Sequence, residues 1–248
     1  MKLKKNGFRF VNHDFVDSVM NRTKPESGTK VLPLEQMILD LSKLSDEDWG
    51  RYAFYRDPLY GKFDRSEIKD YTNNAIQCAR KVFKEISEKY KYEDLDHLAK
   101  ELKFNIRQQY RPNDGNRVIF AQFTEPNNIT IYTDTITKYN DLIKNSNSLA
   151  AKVLGDIDVY KILVAHELFH GIEFMQKNSI YTQTEKVELW KKPFSNKSKI
   201  FCLGEIAAME FSKQLSGMDF SPFILDTVLM YAYDKEAATL LYEDTMNL

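Results

Sequence analysis

Two histidines and a glutamate form a His-Glu-x-x-His pattern at His166, Glu167 and His170, which is the clearest chemical signal in the sequence. Residues four apart lie about one turn apart on one face of an α-helix, so a helix here would direct both imidazoles at one small metal ion. Glu167 directly follows the first histidine and is expected to reach a metal-activated water molecule without being a ligand. The pattern therefore predicts a metal-dependent hydrolase.

The segment around this pattern, Val159–Met175, is rich in aliphatic and aromatic residues. Such a run predicts a largely buried helix rather than a surface loop. Burying two histidines and a glutamate is unfavourable unless something binds them. Metal binding is therefore favoured over the alternative that both histidines are satisfied core residues that bind no metal.

A third metal ligand must come from elsewhere in the chain, because catalytic zinc usually has three protein ligands and one open position. His13 and His97 lie far upstream and no histidine follows His170, so an acidic ligand is expected. Glu173 is on the predicted motif helix and is expected to point along it, which favours a carboxylate from a second helix. Glu205 begins such a helix, with small and apolar neighbours that allow close helix packing. The acidic residues after the motif include Glu173, Glu185, Glu188, Glu205, Glu210, Asp219 and Asp226.

The string that begins at Glu205, EIAAMEFSKQL, resembles the Glu-x-x-Ala-x-x-Phe-(Ala/Ser)-x-x-Leu segment of the ImmA/IrrE-like zinc metallopeptidases, a gluzincin-type group. The order of a short helix, a small sheet, the motif helix and a glutamate helix is also similar, over about Asp94 to Leu215. The resemblance implies that Zn²⁺ is the cofactor and that His166, His170 and Glu205 are its ligands. It implies that Glu167 is the general base.

The position four residues after the ligand glutamate departs from this group. The group often has Asn or Asp there, where it can support a metal-binding imidazole, whereas this chain has Met209. Glu210 lies about 140° around the helix from Glu205 and is a poor substitute. Either another segment supports the imidazole, or metal binding is weaker and an inactive descendant of the fold becomes a reasonable alternative.

The predicted fold is α+β and zincin-like, with an N-terminal helical extension over residues 1–92 and a metallopeptidase domain over residues 93–248. In the first region, helices are expected to start at Ser45 and Asp64, which precede acidic residues and then apolar stripes. The second region should begin with a short helix, Asp94–Leu102, and should continue into a small antiparallel sheet packed on the motif helix and the glutamate helix.

The strands of this sheet are predicted from β-branched and aromatic residues between turn signals. They are Phe104–Gln109, Val118–Phe123 and Ile129–Thr133, with a strong turn at Pro112–Gly115. Ile129–Thr133 is expected to be an edge strand beside the motif helix, open to an extended peptide. An irregular lysine-rich loop from about 177 to 199 and two further helices should complete the chain.

Composition excludes several other classes of protein. The 248 residues are 43% hydrophobic, and 35 basic residues balance 36 acidic ones, which argues against a nucleic-acid surface. The amino terminus lacks the apolar core of a secretory signal, and no apolar run has the length of a membrane span. Cys78 and Cys202 are two isolated thiols, typical of a reduced cytoplasmic protein.

The sequence thus predicts a cytoplasmic zinc metallopeptidase that acts on a protein or peptide substrate, with the role of a regulatory partner left open. The alternatives are a zinc hydrolase of a small amide, a protein that binds a partner peptide without cleaving it, and a scaffold role for the helical first third. The oxyanion-stabilising group is not identified; the candidates are Tyr132, Tyr181, Tyr231 and Tyr233.

Overall fold

The computed structural model describes residues 30–110, 119–145, 152–190 and 196–248. Over these residues the protein is α+β and mainly helical, with one three-stranded sheet and one two-stranded hairpin. Within this part of the chain, no helix is both long enough and apolar enough to cross a membrane. The helices are α1 Leu34–Leu41, α2 Asp46–Tyr55, α3 Arg65–Lys89, α4 Leu95–Glu101, α5 Thr133–Lys144, α6 Val159–Met175, α7 Tyr181–Thr184, α8 Cys202–Ser216, α9 Ile224–Tyr231 and α10 Lys235–Met246, and a 3₁₀ turn spans Tyr60–Lys62. The strands are β1 Asn105–Gln109, β2 Ala121–Thr124, β3 Asn128–Tyr132, β4 Lys186–Trp190 and β5 Asn196–Lys199.

The predicted helix starts in the first third of the chain are confirmed. Ser45 and Asp48 form a reciprocal capping box at the start of α2, and Asp64 and Glu67 form another at the start of α3. Asp94 accepts a hydrogen bond from the His97 backbone N–H and so caps α4. Each cap satisfies a backbone donor that the first helical turn leaves unpaired.

The three-stranded sheet has the order β1-β3-β2, so β3 is its central strand. The prediction that Ile129–Thr133 is an edge strand is therefore wrong. The prediction of an antiparallel sheet is also wrong in part, since β3 pairs antiparallel with β2 but parallel with β1. Alternation along β3 indicates a strand, but the long-range pairing with β1 decides its position. Both isoleucines of β3, Ile129 and Ile131, are fully buried.

The segment after α6 is more regular than predicted. Instead of an irregular loop up to residue 199, it contains the short helix α7 and the antiparallel hairpin of β4 and β5, in which Lys186 pairs with Lys199. Three helices rather than two follow, α8 to α10. The hairpin strands are short and rich in lysine, so their hydrophobic alternation is too weak to indicate strands. The turn predicted at 112–115 lies outside the described residues.

Helix α6 lies in the middle of the protein. It packs against β2 and β3 and against α8, and α8 packs in turn against α3 and α2. The division predicted at 92/93 falls between α3 and α4, and residues from both sides of it contribute to one hydrophobic cluster. The N-terminal helices therefore support the helix that contains Glu205.

Candidate metal centre

Helix α6 presents the histidine motif from a buried position. Asp158 caps its first turn by accepting a hydrogen bond from the Lys161 backbone N–H. Its own apolar residues lie on all faces of the helix, which is typical of a helix in a protein core. At Gly171 an added Cβ would lie 2.5 Å from the ring of Phe104, so a larger residue there would push away the aromatic side chain that leads into β1.

The donor atoms of His166, His170 and Glu205 converge at one point. The two Nε2 atoms are 3.1 Å apart, and the Glu205 carboxylate oxygens lie 3.3 Å from His166 Nε2 and 3.4 Å from His170 Nε2. Ligands of a tetrahedral zinc ion, with bonds of about 2.0–2.1 Å, would lie about 3.3–3.4 Å apart. Glu205 Oε2 is buried and has no hydrogen-bond partner among the described residues. This buried group therefore fits a metal ion in both donor type and spacing.

The second imidazole is oriented by Glu173, whose carboxylate lies 3.2 Å from His170 Nδ1. When the ring is neutral and Nδ1 donates to this carboxylate, Nε2 carries the lone pair that a metal ligand needs. Burial disfavours ionisation of Glu173, but the hydrogen bond and charge of His170 outweigh burial and lower the Glu173 pKa to about 2. Burial likewise opposes the charged form of His170, yet Glu205 and Glu173 together raise the His170 pKa well above its usual value.

Sequence reasoning weighed Glu173 only as a ligand and missed its supporting role. The signal was present, because residues three apart on a helix are neighbours on its surface. Gly204 on α8 makes room for the carboxylate: a Cβ at this position would lie 2.9 Å from Glu173 Oε1 and 3.2 Å from Oε2. The residue immediately before the candidate ligand Glu205 thus contacts the group that orients His170.

Glu205 lies in the first turn of α8, where contacts from distant segments place it. The N-cap residue, Phe201, makes no side-chain capping bond. Asp57 takes this role: its carboxylate accepts a hydrogen bond of 2.9 Å from the backbone N–H of Cys202. Burial alone would raise the Glu205 pKa, but His170 and His166 outweigh it and hold the pKa well below its usual range. Glu205 is therefore an ionised carboxylate next to two imidazoles.

Glu167 lies beside the ligand group and faces strand β2. Burial raises its pKa, the His166 and His170 imidazoles oppose that rise, and the charge of Glu205 adds to it. Hydrogen bonding from the backbone N–H of Phe123 in β2 favours the ionised form. A raised pKa makes this carboxylate a stronger base than an ordinary exposed glutamate.

The remaining acidic and aromatic candidates lie in other surroundings. Among the described residues, only His166, His170 and Glu205 form a group able to hold a metal ion. Glu210 pairs with Arg80, whose Nε lies 2.6 Å away. Of the candidate tyrosines, Tyr132 contacts Gln122 and Tyr233 donates to Asp134.

Comparisons with known proteins identify no relative of this chain. No model of a protein family, no curated protein and no solved structure matches the chain. The resemblance to the ImmA/IrrE-like peptidases is therefore limited to the short motifs and the order of elements.

Proposed function

We propose that this protein is a zinc-dependent peptidase. The observation that supports this most strongly is the convergence of two imidazoles and one carboxylate at spacings of 3.1 to 3.4 Å. Two nitrogen donors and one oxygen donor are a common ligand set of catalytic zinc, which leaves a fourth position open. The proposed ligands are His166, His170 and Glu205.

Each side chain around this site has a definable task. A zinc ion held there would act as a Lewis acid toward a water molecule and a substrate carbonyl. Glu167 would accept the proton that the water loses and would later deliver it to the leaving amine. Glu173 keeps the proton of His170 on Nδ1, so the metal-facing nitrogen remains a lone-pair donor.

A peptide substrate, rather than a small amide, is supported by strand β2. The backbone N–H of Tyr132 donates a hydrogen bond to the carbonyl of Phe120. Hydrogen-bonded pairs alternate along an antiparallel ladder, so Ala121 and Phe123 direct their backbone groups away from β3. Among the described residues, no strand pairs with this outer side of β2. Because the outward N–H of Phe123 already donates to Glu167, the groups left for an added strand are the Phe123 carbonyl and the backbone groups of Ala121. An extended peptide that pairs with these groups by β-augmentation would pass beside Glu167.

The metal part of the proposal is tested by metal analysis of the protein purified without chelator. We expect about one zinc ion per chain, because two imidazoles and a carboxylate match the preferences of zinc. His166→Ala and His170→Ala should each empty the site. Equal zinc content in the wild type and both variants would exclude this assignment.

The peptidase part is tested with Glu167→Gln, which preserves the shape of the side chain but cannot accept a proton. This variant should keep zinc and fold while hydrolysis falls about 10²–10⁴-fold, roughly 3–5 kcal/mol of barrier. It should also retain a substrate protein that the wild type releases as fragments. If the wild type and the variant hold the same partner equally long and neither cleaves it, the protein is a peptide-binding module instead.

A further inference from the structure

The two candidate histidine ligands differ in the surroundings of Nδ1. In His170 this atom lies 3.2 Å from a Glu173 oxygen. In His166 it is buried and has no hydrogen-bond partner among the residues that the structure describes. If Nε2 of His166 binds a metal, Nδ1 must keep its proton and is a buried donor. Such donors are rarely left unpaired, because burial without a partner is unfavourable.

A second buried carboxylate, Asp226, lies in the first turn of α9. The hydroxyl of Tyr52 donates to its Oδ2 over 2.7 Å, and Nη1 of Arg56 donates to the same oxygen over 3.0 Å. Only 6% of the Arg56 side chain and 9% of the Asp226 side chain are exposed. Burying an ion pair is rarely favourable for stability alone. The burial of Asp226 therefore indicates a role beyond its ion pair with Arg56.

Two contacts place Asp226 and its partners Tyr52 and Arg56 beside the start of α8. Asp57, next in sequence to the arginine, caps α8 through the backbone N–H of Cys202. The ring of Phe223, just before α9, meets the ring of Tyr52 edge-on at 5.5 Å between centroids. The end of α2 and the start of α9 therefore meet near the turn of α8 that contains Glu205.

The pKa of Asp226 depends in part on the charge of His166. Burial raises its pKa, and Arg56 and the Tyr52 hydroxyl oppose this rise. The charge of His166 is a further influence that favours the ionised carboxylate. Asp226 is thus within electrostatic reach of the imidazole whose Nδ1 lacks a partner among the described residues.

We propose that Asp226 positions His166 in the metal centre by accepting its Nδ1–H through one bridging water molecule. Tyr52 and Arg56 hold the carboxylate in place for this contact. Asp226 then provides, from α9, the support that Met209 on α8 cannot provide. This inference rests on the proposed zinc site, and it assigns to a third helix a residue needed for metal affinity.

The test compares the zinc affinity of Asp226→Asn with that of Glu210→Gln. Glu210 is a matched control, since it is also a buried carboxylate paired with an arginine, Arg80, but lies outside the ligand group. Zinc affinity is measured by competition with a chelator of known affinity. We expect Asp226→Asn to weaken zinc binding about 10–100-fold, as is typical for residues that support a ligand. Glu210→Gln should leave it unchanged.

Thermal unfolding of the metal-free variants separates positioning from a merely structural role. A structural role predicts lower stability of metal-free Asp226→Asn with no selective loss of zinc. Tyr52→Phe, which removes one hydrogen bond to the carboxylate, should weaken zinc binding by a smaller factor and provides a second test should Asp226→Asn not fold. Wild-type zinc affinity in Asp226→Asn, or an equal loss in Glu210→Gln, would overturn the inference alone. A wild type that binds no zinc would overturn the proposed function as well.

Discussion

Helices α6 and α8 contribute to the same candidate metal centre in different ways. On α6 the four-residue spacing of His166 and His170 is enough to bring the two imidazoles to one face of the helix. On α8 the position of Glu205 depends on contacts from distant segments, including the cap from Asp57. The comparison shows that one half of the site is encoded locally, whereas the other half is encoded by tertiary packing.

This difference determines which substitutions should matter. On α6, changes at the motif itself should remove the site. On α8, the residues that position its first turn, such as Gly204, should also influence the site although they are not ligands, because this turn contains Glu205. Four predictions test this contrast, beginning with the largest expected effect.

Replacing Glu205 by alanine should abolish stoichiometric zinc binding, because it removes the oxygen donor that α8 contributes. Glu188→Ala is a suitable control: this residue is also acidic but is exposed on the β4–β5 hairpin opposite Lys197. Metal analysis of both variants after purification without chelator measures the effect. Full zinc content in Glu205→Ala would mean that another carboxylate is the third ligand.

Glu173→Gln should weaken zinc binding about 10–100-fold without emptying the site. The amide keeps the size of the side chain but removes the charge that holds the His170 Nδ1 proton. Competition with a chelator gives the affinity. A loss as complete as that in Glu205→Ala would instead make Glu173 a ligand, and no loss would show that the contact between His170 and Glu173 is unimportant for metal binding.

The locally encoded half of the site was largely predictable from the sequence. The bounds of α6, the helix starts at Ser45 and Asp64 and the presence of a helix at Glu205 follow from spacing, caps and apolar patterns. Those signals depend on neighbours within a few residues.

The order of the sheet was not predictable in this way. Nothing within β3 reveals that β1 pairs on its other side, because strand pairing is decided between segments far apart in sequence. The same limit applies to Asp57, which reaches the start of α8 from a segment far away in sequence, and to the position that we propose for Asp226 beside His166. The edge that faces Glu167 is consequently β2 rather than β3.

Gly204→Ala should weaken zinc binding by a smaller factor than Glu173→Gln. The new Cβ would lie 2.9 Å from Glu173 Oε1, so the carboxylate or α8 must shift by a few tenths of an ångström. Gly61→Ala is the matched control, because nothing lies within 4 Å of a Cβ there. The double variant Gly204→Ala/Glu173→Gln should show a non-additive loss, since both changes act on one contact. Strict additivity would show that Gly204 acts independently of Glu173.

The smallest effect on zinc, and mainly an effect on folding, is expected for Asp57→Ala. Asp57 is buried, with 3% of its surface exposed, and accepts hydrogen bonds from the backbone N–H groups of Leu59 and Cys202. Loss of a helix cap typically lowers the free energy of unfolding by about 0.5–2 kcal/mol. Denaturant unfolding of the metal-free protein should show this decrease. Because the cap fixes the first turn of α8, which contains Glu205, zinc affinity should fall with it, though less than in Gly204→Ala. Unchanged stability together with unchanged affinity would show that the packing of α8 against α3 and α6 fixes this turn without the cap from Asp57.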